Sequence, residues 1–110
     1  MIDGLYGGRR LGKVAAMTTE VRRNDGRGRY ELLVDGQLVG IAEFTVSADG
    51  QVATFPHTVI APERRGTGLG DILVRGALDD VKDRVTKVVP SCWFVADFID
   101  ANPEYADLVA

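Results

Sequence analysis

The sequence is poor in the residues that carry most redox and disulfide chemistry. Its 110 positions hold one cysteine, Cys92, and one histidine, His57. A lone cysteine closes no internal disulfide, so a reducing, cytoplasmic setting is expected. No metal site is expected either. No apolar run approaches the roughly 20 residues of a membrane-spanning helix, and Met1–Met17 lacks the continuous apolar stretch of a signal peptide. A strong charge of one sign is also missing. Thirteen Lys+Arg against 16 Asp+Glu leave a net charge of −3, which supplies no basic face for nucleic acid or an anionic membrane.

What is present suits one compact domain: 45% hydrophobic and 26% charged residues, ordinary values for a globular chain. Gly4, Gly7, Gly8 and Gly12 interleaved with Arg9, Arg10 and Lys13 predict a flexible extension over residues 1–17, with Met17 an alternative start. Residues 18–110 read as the single domain, a monomer or weak homodimer.

Within it, Thr19–Arg23 reads as a first strand. Tyr30–Val34 and Gln37–Val46 flank Asp35-Gly36, a pair suited to the two positive φ angles of a type I′ turn, so they predict a hairpin. Gln51–Ile60 follows as a fourth strand, with Pro56 removing one ladder donor and predicting a bulge. Leu73, Val74, Ala77, Leu78, Val81 and Val85 recur at helical spacing, which predicts an amphipathic helix over 71–85 with Asp71, Arg75, Asp79, Lys82 and Asp83 as its solvated face. Lys87–Val89 reads as a buried strand parallel to the fourth, because a helix connects the two. Phe94–Ala101 reads as a helix, and Asn102-Pro103 as the N-cap and first residue of a last helical turn. The fold class expected is α+β, a mixed and mostly antiparallel sheet with a central amphipathic helix and C-terminal helices.

The chemistry-bearing segment is Arg64-Arg65-Gly66-Thr67-Gly68-Leu69-Gly70, between the fourth strand and the long helix. A helix N-terminus offers about four unpaired N–H groups and roughly half a positive charge. Glycines let that backbone approach an anion, and two arginines add formal charge; together they make a diphosphate cradle. Asp71 after Gly70 removes the Gly-Lys-Ser/Thr ending of a nucleotide P-loop. The glycine spacing also misses the G-x-G-x-x-G of dinucleotide domains.

Arg65-Gly66-Thr67-Gly68-Leu69-Gly70 satisfies R/Q-x-x-G-x-G/A, and in this it resembles the pyrophosphate loop of GCN5-related N-acetyltransferases. His57-Thr58-Val59, Leu73-Val74, Ala77-Leu78-Asp79, Val88-Val89-Pro90, Cys92, Phe94-Val95 and Pro103-Glu104-Tyr105 extend the likeness from about Thr19 to Val109, to the small YjdJ-like members of that family. The resemblance implies transfer of acetyl from acetyl-CoA to a primary amine, a protein lysine or N-terminus or a small amine. It implies that Arg64 to Gly70 hold the diphosphate of coenzyme A and that the backbone near Val59 and Ile60 pairs with pantetheine. It also implies that the strands ending near Ile60 and Pro90 splay to admit the thioester. The departures are Asp71 beside the phosphates, no glycine in Arg84-Val85-Thr86, Ser91 and Trp93 around Cys92, and Phe98 where larger members carry a tyrosine acid. A non-catalytic CoA-binding or protein-interaction module is the alternative those departures favour.

Aminolysis of a thioester needs a neutral amine and a proton for the departing thiolate. His57 is a candidate base, or a structural histidine ordering the Pro56 bulge. Cys92 precedes a helix and is placed by the resemblance near the thioester, as nucleophile, acid, or a small buried side chain. Trp93, Phe94 and Phe98 read as core, and Tyr105 as packing.

Overall fold

The computed structural model describes residues 18–110; the expected extension over residues 1–17 lies outside them. Strands β1 (Thr19–Asn24), β2 (Arg29–Val34), β3 (Gln37–Val46) and β4 (Val52–Ile60) form an antiparallel meander, and β5 (Lys87–Val89) joins β4 in parallel. The architecture is the α+β arrangement the sequence predicts. Asp35 and Gly36 carry φ of 50° and 82°, the left-handed pair that a right-twisted two-residue hairpin requires. The bulge falls at Pro56: β3–β4 pairing passes from Glu43–His57 to Thr45–Thr54, so Phe44 faces both Phe55 and Pro56. Proline has no N–H to give the ladder, and the extra residue absorbs that loss.

Helix α1 (Leu69–Val81) starts and stops earlier than its periodicity predicts. Gly68, at φ 81°, turns the chain directly into it. At the other end Arg84 N–H closes back on Val81 O at 2.9 Å, and Thr86 N–H already donates to Gln51 O at 2.8 Å. Capture by the sheet edge therefore ends the helix, and Val85 packs against the core from a turn. Leu69, Leu73, Val74, Ala77, Leu78 and Val81 form its buried stripe, each large side chain contributing about 1.5–3 kcal/mol by leaving water. Gly76 lets β1 approach, since a Cβ there would lie 2.7 Å from Val21.

Helix α2 (Trp93–Ala101) buries Val95, Phe98 and Ile99, and a 3₁₀ segment (Pro103–Leu108) buries Tyr105. Asn102 is the N-cap of that segment and Pro103 its first residue, as predicted, but the Asn102 side chain is used elsewhere. Its amide donates to Phe98 O at 2.8 Å and its Oδ1 accepts from Arg75 at 2.8 Å. The polar face of α1 is likewise not merely solvated. Arg75 pairs with Glu104 at 3.2 Å, and Tyr105 OH donates to Asp79 at 2.6 Å.

The β1–β2 half of the molecule holds its polar groups in closed sets. Glu31, 3% exposed, accepts from Arg22 at 3.1 Å, Arg29 at 2.9 Å and Asn24 at 3.1 Å. The hydrogen bond from Arg29 outweighs the opposing effect of burial and, with Asn24 and Arg22, holds the carboxyl below the usual range. Buried Tyr30 donates to Asp80 Oδ2 at 2.6 Å and accepts from Arg23 at 2.7 Å. Arg23 also lies over the Phe44 ring, 4.3 Å from its centroid. Among the described residues, no helix is long and apolar enough to cross a membrane.

Candidate functional site

The glycine-rich loop is built in three steps. Ala61 N–H ties the end of β4 to Val39 O at 2.8 Å, and Pro62–Arg64 makes a 3₁₀ turn closed by Arg64 N–H on Ala61 O at 2.8 Å. Gly66 and Gly68 then take φ of 77° and 81°, where a side chain would cost about 1–2 kcal/mol. Thr67 Oγ1 donates to Arg64 O at 2.6 Å and Arg65 Nε to Ile60 O at 3.1 Å, which stitch the loop to its own stem. Gly70 is small for another reason. Its φ is not left-handed, but a Cβ would stand 2.6 Å from Phe94 Cζ. That ring packs α2 onto the first turn of α1.

With the loop so held, the main-chain N–H groups of Gly66 to Asp71 find no acceptor among the described residues. Ile72 N–H, bonded to Gly68 O at 3.4 Å, is the first that α1 satisfies. Arg64 and Arg65 make no ion pair with a described carboxylate. Asp71 lies in the first turn of α1, where the helix dipole favours its charge.

The loop opens into a cleft of about 720 Å³ between β4 and the start of α2. The cleft exists because β5 pairs with β4 only from Val52 to Thr54. Cys92 N–H makes one more bond, to Phe55 O at 2.8 Å, and the chains then part. Beyond the bulge, β4 keeps β3 on one side and presents a free edge on the other. Main-chain groups alternate along a strand, so the parity can be read from its bonds. Ala61 N–H points to β3, Val59 O lies 3.2 Å from a Cβ built on Gly40 of β3, and Ile60 O points away to Arg65. Thr58 and Ile60 therefore turn their main chain to the free edge. Val59 turns its main chain to β3.

His57, Val59, Ile60, Arg64, Arg65, Gly66, Gly68, Leu69, Gly70 and Cys92 all line the cleft. Thr67 does not, its hydroxyl being spent on the loop. Sequence reading missed Thr58 and Phe94 as lining residues; Asp71 and Trp93, named there as departures from the family pattern, line the cleft too. The bulge parity marks Thr58. Trp93, expected in the core, is 72% exposed at the rim, whereas Phe98 is buried.

His57 and Cys92 are not joined. Cross-strand neighbours share a face: Thr58 opposes core residue Ala42 and looks toward α1, while His57 opposes Glu43 and looks the other way. His57 is exposed and makes no side-chain hydrogen bond among the described residues. Cys92 is half-buried at the N-cap of α2, and its thiol donates to Thr58 Oγ1 at 3.6 Å. Burial pushes this thiol up. The Thr58 hydroxyl, able to donate back to a thiolate, and the nearby N–H groups of Val95, Phe94 and Thr58 outweigh it and leave the thiol below its usual value. None of those N–H groups makes a capping bond to the sulfur. Tyr105 is buried outside the cleft; burial first, and then Asp79, push its phenol up.

The sequence profile of a family described as GCN5-related N-acetyl-transferase matches residues 29–108. No curated protein sequence matches. Among solved structures, the chain is similar to a GCN5-related N-acetyltransferase from Kribbella flavida, with TM-score 0.53 and 25% identity over 68% of this chain and 21% of that one. It is similar in fold to the ribosomal-protein-S18-alanine N-acetyltransferase from Escherichia coli, with TM-score 0.53 and 20% identity over 67% of this chain and 50% of that one. N-acetylglutamate synthase from Neisseria gonorrhoeae, solved with coenzyme A and N-acetyl-glutamate, matches at TM-score 0.50 and 17% identity over 64% of this chain and 18% of that one. The chain thus spans between about a fifth and a half of the length of these structures.

Proposed function

Since the chain belongs to the GCN5-related N-acetyltransferase family, we propose that it transfers acetyl from acetyl-CoA to a primary amine, and that it is one of the small YjdJ-like members. In this reading residues 18–110 form one acyltransferase domain and residues 1–17 an extension. One observation carries the proposal: the N–H groups of Gly66 to Asp71, without an acceptor among the described residues, lie at a helix N-terminus beside Arg64 and Arg65. Such a set fits a diphosphate. It continues along the cleft into the free edge of β4, whose Thr58 and Ile60 main chain fits the amides of a pantetheine arm.

When bound, acetyl-CoA supplies the activated acyl thioester. The chain supplies the rest. Loop amides and the two arginines fix one end of the ligand, and the β4 edge aligns its arm toward Cys92 and Thr58. Thr58 and the start of α2 lower the cost of negative charge on sulfur at that point, which suits a departing thiolate. His57, on the opposite face of β4 and open to solvent, accepts a proton from the incoming ammonium directly or through water. The acceptor is a protein lysine or N-terminus, or a small amine.

Calorimetric titration with coenzyme A and with ATP, followed by thiol release from acetyl-CoA in the presence of amines, tests this. The proposal expects coenzyme A to bind more tightly than ATP and thiol release to depend on the amine. Equal binding of both would remove the acyl-transfer reading, and binding without turnover would select the CoA-binding module instead. Mass spectrometry after incubation with acetyl-CoA separates the roles of Cys92. An acetyl adduct lost in Cys92→Ala marks a nucleophile, and no adduct in either protein marks direct transfer.

A further inference from the structure

Resting on the assignment of the cleft to coenzyme A, we infer that Trp93 is the platform on which the adenine ring of that ligand stacks. Trp93 is 72% exposed, the most open large apolar side chain among the described residues, and it lines the cleft. An indole left in water forgoes a large apolar burial unless a partner covers it. Its position is fixed. Trp93 meets Phe94 edge-on, with centroids 5.8 Å apart and planes at 74°, and Phe94 rests against Gly70. The indole therefore stands beside the loop whose amides find no acceptor among the described residues. In coenzyme A a single ribose separates the diphosphate from adenine, so the base must come to lie next to whatever holds the diphosphate.

The opposite end of the ligand fits Trp93 less well. Cys92 turns its thiol toward Thr58 on β4. Trp93, the first residue of α2, stands instead at the rim of the cleft, 72% exposed. The rim suits a ring that is flat, polar at its edges and apolar on its faces. An indole face over a nucleobase needs no particular hydrogen bond, which explains why no polar side chain need accompany it.

Trp93 is the only tryptophan in the chain, so its emission reports on this site alone. Coenzyme A and adenosine 3′,5′-bisphosphate are expected to quench it, and 4′-phosphopantetheine, which has no base, to bind without quenching. Trp93→Ala should weaken coenzyme A about tenfold, within the range for loss of one base–aromatic stack, and leave 4′-phosphopantetheine affinity unchanged. Trp93→Phe should restore most of the loss. Comparing variant with wild type for each ligand cancels their difference in phosphate content. Equal weakening of both ligands, or of neither, overturns the inference while leaving the cleft assignment standing. Failure of coenzyme A to bind wild-type protein overturns the assignment and the inference together.

Discussion

The β1–β2 corner and the β4–α1 loop are both rich in arginine, yet they treat their polar groups in opposite ways. At the corner the arginines have acceptors: Arg22, Arg29 and Asn24 close on Glu31, and Arg23, Tyr30 and Asp80 close on one another. In the loop Arg64 and Arg65 line the cleft without an ion pair among the described residues, only Arg65 Nε reaching Ile60 O, and a run of N–H groups finds no acceptor there. A closed set stabilises the folded chain and has nothing left for a ligand. An open set adds little to folding and keeps its bonding capacity for an anion that comes later. The same residue types serve both ends, and the difference lies in what the backbone places opposite them.

If that contrast is right, substitutions at the two places should separate affinity from stability. The largest effect is expected in the loop. Arg64→Ala with Arg65→Ala should weaken coenzyme A at least about 100-fold, since each charged hydrogen bond is worth about 1.5–3 kcal/mol. The melting temperature should fall by only a few degrees, since no ion pair with a described residue is lost and the one bond given up, from Arg65 to Ile60 O, is exposed. Titration calorimetry and thermal melts check both halves. A large loss of stability would show that the arginines hold the fold. At the corner the pattern inverts. Tyr30→Phe removes a buried hydroxyl and leaves Arg23 and Asp80 without it, so it should cost about 1–2 kcal/mol in urea unfolding and leave coenzyme A affinity unchanged.

A smaller effect follows from the same hydroxyl. Burial first, and then Asp80, push the Tyr30 phenol up to about 12 from 10.0. A phenol that is harder to ionise in the folded state gives stability that is intact below pH 10 and lost as pH climbs from 10 toward about 12. Urea midpoints across that interval should fall in wild type more than in Tyr30→Phe. Parallel falls would remove the corner's pH dependence from the account.

Much of this arrangement is legible in the sequence wherever a local rule decides it. Asp35-Gly36 dictates its hairpin through two positive φ angles, Pro56 dictates a bulge, and Gly66 and Gly68 mark a left-handed approach to a helix. The rest depends on partners far along the chain. The end of α1 is set by Gln51, which captures Thr86, and not by the helix's own apolar period. Gly70 looks like one more flexible loop glycine, but its role comes from Phe94 in a later helix. The family likeness implies pairing near Val59 and Ile60 without a register, and it is the parity of β4 against β3 that turns the main chain of Thr58 and Ile60 to the free edge. Tyr30 and Asp80, 50 positions apart, give no local hint that they meet. Trp93 was hidden by composition, because an aromatic in an apolar helix start reads as core until the exposed rim is seen.

Backbone amide NMR of ¹⁵N-labelled protein during titration with coenzyme A addresses the loop most directly. The amide protons of Gly66 to Asp71 should move downfield together as they gain phosphate oxygens, while those of β1 and β2 stay in place. Saturable binding that leaves the Gly66–Asp71 signals unmoved would contradict the account.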